Sequence, residues 1–209
     1  MKKIENFIVF DVETESLNLR NSRPWQVAYS VYEKNNLVHQ ACEEILWDDF
    51  KISKGAAIIT KFDHAAYLRK AKPAEQVLNR FNKYFLNDKY RKIGHNILHF
   101  DVYQYRNWCD EVGKDYDWES IISRCVDTHA LAKGICFEDY PENMEDLDGF
   151  VAWSYRQLSV RKRGLKTSLT ALGKKYEITF DENQLHDALN DIKLNLEVFY
   201  RQQDEIIYR

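Results

Sequence analysis

The segment FIVFDVE, residues 7–13, joins a run of apolar residues to two carboxylates, and it constrains the fold more than any other segment. The consecutive apolar residues from Phe7 to Phe10 are typical of a strand buried on both faces in a helix-covered sheet. Side chains two positions apart in a strand point to the same side, so the carboxylates of Asp11 and Glu13 converge. Converging carboxylates repel each other unless a cation lies between them. The segment therefore predicts a central strand that ends either in a cation site or in two acids turned into water.

Length, charge and hydropathy limit the class of protein. A chain of 209 residues can bury one substantial core, so we expect a single domain over residues 1–209. The formal net charge of −3 gives no global attraction for nucleic acid or for an anionic membrane, so a polyanion must be bound by a local patch or through metal ions. No stretch approaches the roughly 18 apolar residues of a membrane span, and the N-terminal segment turns polar too early for a signal peptide. We expect a cytoplasmic protein with no membrane partner.

Apolar periodicity after the first strand predicts an α/β or α+β domain with a mixed central sheet. The first half of the chain predicts a hairpin over 24–34 and 36–47, a helix after Pro73, and a strand over 90–97 that leads into a second helix. A strand-to-helix junction follows over 123–133, with Asp127 or Thr128 as N-cap. The last predicted elements are a short helix that ends near Gly173 and a long amphipathic helix from about 184 to 205. The order is three strands, then helices alternating with short strands, then a terminal helix.

Residues 134–166 have an uneven charge distribution and no clear period. An acidic stretch over 137–150 is followed by a basic stretch over 156–166. We interpret this segment as a charged surface insertion, in part helical, laid over the core fold. The basic residues are candidates for contacts with substrate phosphates, although a solvated loop explains them equally well; they are Arg156, Arg161, Lys162, Arg163 and Lys166.

Polar residues cluster at three places where an apolar element begins or ends. The first cluster is DVET at 11–14, the second is GHNILHFD at 94–101, and the third is LHDALND at 185–191. Singly, each has a structural explanation: Asp101 as a helix N-cap, Asp191 on a solvated helix face, His186 as a surface imidazole. Together they supply four carboxylates and one imidazole, the set that two-metal phosphodiester hydrolysis requires. Two divalent cations, Mg²⁺ or Mn²⁺, accept such crowded oxygen ligands, and a histidine near neutrality can act as general base.

The spacing in the last helix leaves open whether His186 or Asp187 shares a site with Asp191. Residues five apart on a straight helix lie about 140° from each other, so His186 and Asp191 share a site only if His186 precedes the regular helix. Asp187 and Asp191, four apart, do share a helix face.

The three clusters resemble the three motifs of the DnaQ-like 3′–5′ exonucleases, in the branch known as DEDDh, whose third motif carries histidine. FDVETESL resembles the first motif, D-x-E-T-T-G-L; GHNILHFD resembles the second, H-N-x-x-F-D; HDALND resembles the third, H-x-A-x-x-D. The connecting segments RCVDTHALAK and TSLTALGKKYEI also match, so the resemblance covers about residues 5–202. It implies a ribonuclease H-like fold, with a five-stranded mixed central sheet whose first three strands are antiparallel, flanked by helices.

The resemblance implies a role for each matching residue. Asp11, Glu13 and Asp191 would hold one metal ion, Asp11 would bridge to a second ion supported by Asp101, and His186 would be the general base. Substrate contacts would come from Thr14, Leu17 and Asn96. The implied activity is removal of nucleotides from the 3′ end of DNA, with single strands favoured.

Two other functions stay open, a 3′–5′ exonuclease for RNA and a non-catalytic subunit that binds nucleic acid or a polymerase. The expected partner is nucleic acid with a free 3′ end, while a polymerase or another replication or repair partner is not evident from the sequence.

The sequence also departs from the family motifs at two places. Ser16 occupies the position of the usual glycine in the first motif. Three residues, Ile97 to His99, separate Asn96 from Phe100 where two are common, so Asn96 matches the second motif less closely than Asp101 does.

Overall fold

A computed structural model describes residues 2–182 and 188–209 of the chain. These residues form a mixed six-stranded sheet with the strand order β4-β3-β2-β1-β5-β6. The strands are β1 (Phe7–Thr14), β2 (Pro24–Glu33), β3 (Asn36–Leu46), β4 (Lys72–Pro73), β5 (Arg91–Gly94) and β6 (Cys125–Asp127). The first three strands are antiparallel, as predicted, whereas β5 runs parallel to β1 and β6 runs parallel to β5. The described helices are α1 (Lys54–Ile59), α2 (His64–Lys70), α3 (Ala74–Phe85), α4 (Asp101–Glu111), α5 (Trp118–Ser123), α6 (Thr128–Phe137), α7 (Leu147–Ser159), α8 (Leu169–Lys175) and α9 (Ala188–Ile207).

The strand count differs from the five that the family resemblance implied. The sixth strand is β4, which pairs in parallel with the end of β3 through Ile45 and Leu46. Pro73 cannot donate a backbone hydrogen bond, and an edge position is where a strand tolerates that loss. Two residues of edge pairing carry no periodic signal, which is why the sequence did not reveal this strand.

The all-apolar first strand is covered on both faces. The ring of Phe7 contacts Phe199 of α9, with ring centroids 5.5 Å apart. On the other face, Phe10 contacts Phe85 of α3, with centroids 5.1 Å apart. Residues three apart in a strand face opposite sides, so these contacts explain why alternation is absent from the strand.

Most of the predicted elements are present in the structure. The hairpin of β2 and β3, the helix that follows Pro73 and the junction of β6 with α6 lie where the sequence placed them. Asp127 is the N-cap of α6, and its carboxylate accepts from the amides of His129 and Ala130. The sequence analysis missed α1, α2 and α5, three helices of six or seven residues that are too short to show a period.

The charged segment over residues 134–166 includes the end of α6 and the whole of α7. One side of α7 is buried in the main core through Phe150, Trp153 and Leu158. Gly134 of α6 lies against α7 so closely that a Cβ there would come 2.4 Å from the Trp153 ring. That this segment is an insertion within a single domain stays a prediction.

No helix in the described parts of the chain combines the length and apolar character needed to cross a membrane.

Candidate active site

Three predicted carboxylates meet at the end of β1. Asp11 and Glu13 project from the strand, and Asp191 comes from the first turn of α9, which packs against β1. One oxygen of each lies within 4.8 Å of the others. The pairing of β1 with β2 shifts register between Glu13 and Thr14, an irregularity of the kind that re-aims side chains beside functional sites. The fold thus brings together residues 180 positions apart in the sequence.

The carboxylates are crowded enough to perturb one another. Burial raises the pKa of Asp11 well above its ordinary value, and repulsion from Asp101, Glu13 and Asp191 raises it further. A bound divalent cation would remove this repulsion, because hard cations take carboxylate oxygens as ligands. The donor set of Asp11, Glu13 and Asp191 therefore fits a divalent metal ion.

Asp101 lies beside this cluster without belonging to the group of three. It is the first residue of α4, with Phe100 at the cap position, so the alternative interpretation of Asp101 as an N-cap is not what the structure shows. Its Oδ1 accepts a hydrogen bond from the amide of Val12 at 3.3 Å, and the residue is 4% exposed. Burial raises the pKa of Asp101 to about 7, although the hydrogen bond from Val12 opposes that rise.

Asn96 adopts a left-handed conformation, with φ of 63°, at the start of the turn that leads to Asp101. The three residues that follow it, Ile97–His99, form a 3₁₀ turn. The amides of Asn96 and Leu98 donate to the two carboxylate oxygens of Asp127, at 2.9 and 3.1 Å. Asp127 therefore fixes the segment that leads to Asp101, a role that the sequence did not reveal beyond helix capping.

The other two predicted substrate contacts lie on and beside the loop after β1. Leu17 is 84% exposed, whereas Thr14 is buried and its hydroxyl donates to the carbonyl of Ser16 at 2.8 Å. The roles of both residues in substrate binding stay predictions. Ser16, at the position of the usual glycine, has no positive φ. Its amide donates to the hydroxyl of Ser22 at 2.9 Å, so the loop is closed on itself.

Glu15 and Arg23 hold this loop in place, and sequence reasoning missed both. The Arg23 guanidinium donates to both oxygens of Glu15, at 2.8 and 3.0 Å, in the bidentate geometry that gives the strongest ion pairs. Both side chains are about nine-tenths buried. The amide of Lys51 also donates to Glu15, which connects the loop to the segment before α1.

The predicted general base lies outside the described residues. His186 and its alternative Asp187 both fall within 183–187, and the described part of α9 begins at Ala188. The structure thus brings together Asp11, Glu13 and Asp191, places Asp101 next to them, and leaves the role of His186 a prediction.

A pair of stacked imidazoles next to Asn96 was also missed by the sequence analysis. The rings of His95 and His129 have centroids 5.2 Å apart. His129 approaches the Asn96 side chain at 3.4 Å through Nδ1 and the Thr167 hydroxyl at 3.0 Å through Nε2. The only available signal was the presence of two histidines near predicted strand ends, which alone does not separate a core histidine from a functional one.

Two of three comparisons relate this chain to known proteins. The model of the family described as RNase_T exonuclease matches residues 8–199. A comparison with curated proteins gave no significant match. Solved structures that match include an E. coli Exonuclease I complex with a 5cy-dT13 oligonucleotide, at 19% identity and a TM-score of 0.68 over 97% of this chain and 40% of that one. A zinc-bound E. coli Exonuclease I complex with single-stranded DNA matches at 19% identity and a TM-score of 0.72 over 96% and 40%. A complex of Exonuclease I with an SSB C-terminus matches at 18% identity and a TM-score of 0.74 over 99% and 42%.

The structural matches support the fold, and the chain spans only about two fifths of the length of those proteins. The family model covers most of the chain, including the first and second motifs and Asp191. The resemblance to DnaQ-like exonucleases is therefore confirmed, and the chain belongs to the RNase_T exonuclease family within the ribonuclease H-like superfamily.

Proposed function

We propose that this protein is a metal-dependent exonuclease that removes nucleotides from the 3′ end of single-stranded DNA. The observation that carries the proposal is the convergence of Asp11, Glu13 and Asp191 within 4.8 Å in a member of an exonuclease family. Converging carboxylates are costly to a fold without a cation between them. Two-metal hydrolysis of a phosphodiester uses such a cluster of carboxylates to hold its cations.

Asp11, Glu13 and Asp191 would hold one divalent cation, and Asp101, next to Asp11, would support a second. When bound, such ions activate the attacking water and stabilise the leaving oxygen. His186 would take the proton from the attacking water. Leu17, on the loop fixed by Glu15 and Arg23, would contact the terminal nucleotide, and Thr14 would shape that loop through its bond to Ser16.

The choice of single-stranded DNA is supported by the complexes of Exonuclease I with single-stranded DNA, whose exonuclease fold this chain shares. The zinc ion in one of those structures supports a divalent cation as cofactor. Mg²⁺ and Mn²⁺ are the ions that we propose here, because three carboxylates form an all-oxygen site.

The test is a time course on 5′-labelled single-stranded DNA and RNA of one sequence, with Mg²⁺, Mn²⁺ or EDTA. Asp11→Asn and Glu13→Gln are the site variants, and Asp115→Asn, at an exposed position, is the matched control. We expect a metal-dependent ladder that shortens from the 3′ end on DNA, lost in both site variants and kept in the control. Faster degradation of RNA than of DNA would identify RNA as the preferred substrate. The absence of a ladder on both strands would favour a non-catalytic binding subunit.

A further inference from the structure

A loop of exposed cations, residues 161–166, borders the segment that leads to Asp101. Arg161, Lys162, Arg163 and Lys166 are all exposed, and none makes an ion pair with any described residue. Arg156, the fifth basic candidate from the sequence, differs because it pairs with Asp139 at 3.4 Å. Four like charges within six residues repel one another, and a polyanion would relieve that repulsion.

The two ends of this loop are anchored to the core. At its start, the buried ammonium of Lys133 donates to the carbonyls of Leu158 and Val160, at 2.9 and 3.0 Å. At its end, the Thr167 hydroxyl contacts Nε2 of His129 at 3.0 Å, and the Thr167 backbone bonds to His95. The cations are therefore held at a defined place instead of being carried on a free tail.

The imidazoles that hold Thr167 carry no charge at neutral pH. Burial lowers the pKa of His95 to about 3 and that of His129 to about 4. They act here through hydrogen bonds, so they neither add to the positive charge of the loop nor switch with pH in the physiological range.

Two adjoining depressions lie between this loop and the Asn96 turn. One, of about 620 Å³, is lined by residues that include His95, Asn96, His129 and Lys166. The other, of about 390 Å³, is lined by residues that include Lys133, Arg161, Lys162 and Arg163. Leu165 and Thr167 line both, so together they form one groove that begins at Asn96, on the turn before Asp101.

We propose that this groove is a second nucleic-acid site, which binds the phosphates of the substrate strand upstream of its 3′ end. His95, His129 and Thr167 are positioning residues, because they hold the loop against the Asn96 turn. Arg161, Lys162, Arg163 and Lys166 contact the phosphates. The inference rests on the proposed function, in that the strand whose end lies at Asp11 and Glu13 is the one that continues into the groove.

The site predicts that affinity depends on strand length. A strand of about three nucleotides fills the carboxylate site alone, whereas one of about 15 also crosses the groove. Fluorescence anisotropy with 5′-fluorescein oligothymidylates in EDTA measures binding without hydrolysis. Replacing Arg161, Lys162 and Arg163 with Ala should weaken binding of the long strand by at least about fivefold and lower its salt slope by about two, with a smaller loss for the short strand.

The matched control removes three other exposed cations that make no ion pair with a described residue, Lys34, Arg69 and Lys83, also by Ala substitution. Lys34 lies in the turn between β2 and β3, Arg69 in α2 and Lys83 in α3, whereas the groove begins after β5. This control should bind both strands as the parent protein does. Equal losses in the two triple variants, or no binding of the long strand by the parent protein, would overturn the proposal.

Thr167 tests the positioning role. Thr167→Val removes the hydroxyl that contacts His129, and Thr167→Ser keeps it. We expect Thr167→Val to raise KM on long strands with little change in kcat, and Thr167→Ser to leave both constants unchanged. A loss of kcat without a change in KM would assign Thr167 to the catalytic site instead.

The binding assay also separates this proposal from the proposed function, because binding is measured in EDTA and does not require hydrolysis. Binding that depends on the loop, without a degradation ladder, would overturn the proposed function and still support the groove as a nucleic-acid site.

Discussion

Asp127 accepts a hydrogen bond from the backbone amide of Asn96 at 2.9 Å, and through it β6 holds the turn that leads to Asp101. The second oxygen of Asp127 accepts from Leu98, and the same carboxylate caps α6. One buried side chain thus fixes the relative positions of the second motif and of α6. Burial raises the pKa of Asp127 to about 6, and the four amide donors oppose that rise.

The first prediction concerns this carboxylate. Asn in place of Asp127 keeps one acceptor and turns an NH₂ group toward a backbone donor. We expect Asp127→Asn to lower the free energy of unfolding by about 2 kcal/mol and to reduce exonuclease activity. Urea denaturation measures the first and the degradation ladder the second. Asp146→Asn, at the exposed N-cap of α7, is the control and should cost less than about 1 kcal/mol. Equal costs at the two positions would show that Asp127 acts as an ordinary cap.

The second prediction separates repulsion from metal binding at Asp11. Asp11→Asn removes one of the three crowded charges, so in EDTA its melting temperature should exceed that of the parent protein. Added Mn²⁺ should raise the melting temperature of the parent protein by several degrees and that of the variant by much less. Differential scanning calorimetry measures both. A variant that is less stable in EDTA would show that the Asp11 charge is already compensated within the protein.

The third prediction is a pH dependence of stability without metal. The pKa values of Asp11, Asp101 and Asp127 are all raised by burial, the latter two to about 7 and about 6. A carboxyl with a raised pKa in the folded state contributes stability below its ordinary pKa, and that contribution is lost as the pH rises through the folded value. In EDTA the free energy of unfolding should therefore fall by about 1 kcal/mol or more between pH 5 and pH 8. Urea titrations at four pH values would measure this decrease. A free energy of unfolding that does not change between pH 5 and pH 8 would contradict the raised pKa values of these carboxyl groups.

The fourth prediction tests His186 as general base against Asp187, the alternative partner of Asp191 by helix spacing. His186→Ala should reduce kcat by about 10²- to 10⁴-fold, because it removes the proton acceptor. Metal-induced stabilisation should persist in this variant, since His186 is not a proposed metal ligand. Asp187→Ala is the matched comparison and should retain most of the activity. A larger loss at Asp187 would assign the role to Asp187 instead of His186.

The fifth prediction tests the packing of α7 on α6. An alanine Cβ at Gly134 would lie 2.4 Å from the Trp153 ring and 2.7 Å from the Asp139 carbonyl. We expect Gly134→Ala to cost about 1–3 kcal/mol of unfolding free energy. Gly55→Ala in α1 meets nothing within 4 Å and should be neutral or slightly stabilising. Comparable melting temperatures for the two variants would mean that α7 can shift without cost.

The sequence could predict those parts of the site in which a residue type with catalytic chemistry lies in or beside a recognisable strand or helix. Asp11 and Glu13 directly follow a run of apolar residues that is typical of a buried strand. The apolar period around Asp191 locates the last helix, although it does not fix the first residue of that helix. The flanking hairpin was predictable because β2 is rich in β-branched and aromatic residues and turn-like residues at 34–36 separate it from β3. Membership of the family then ordered these pieces into one sheet.

The remainder depends on contacts between distant residues. The pairing of Glu15 with Arg23 joins the two ends of a loop with no period, and nothing in either residue type marks it as buried. Asp127 and His129 were visible only as the start of a helix, while their partners Asn96 and Thr167 lie 31 and 38 positions away. Short elements such as β4 and α1 derive their order from the sheet edge and loop they contact, so their own sequences do not predict them.

The distance along the chain between Asp11 and Asp191 has a consequence for biosynthesis. A ribosome that has made β1 and the whole sheet has still not made Asp191, which enters only with the last helix. The carboxylate cluster cannot assemble until α9 has been synthesised and has packed against β1. Under the proposed function, hydrolytic competence would depend on completion of the fold, because neither a nascent chain nor a fragment that has lost α9 would carry all three carboxylates of the cluster.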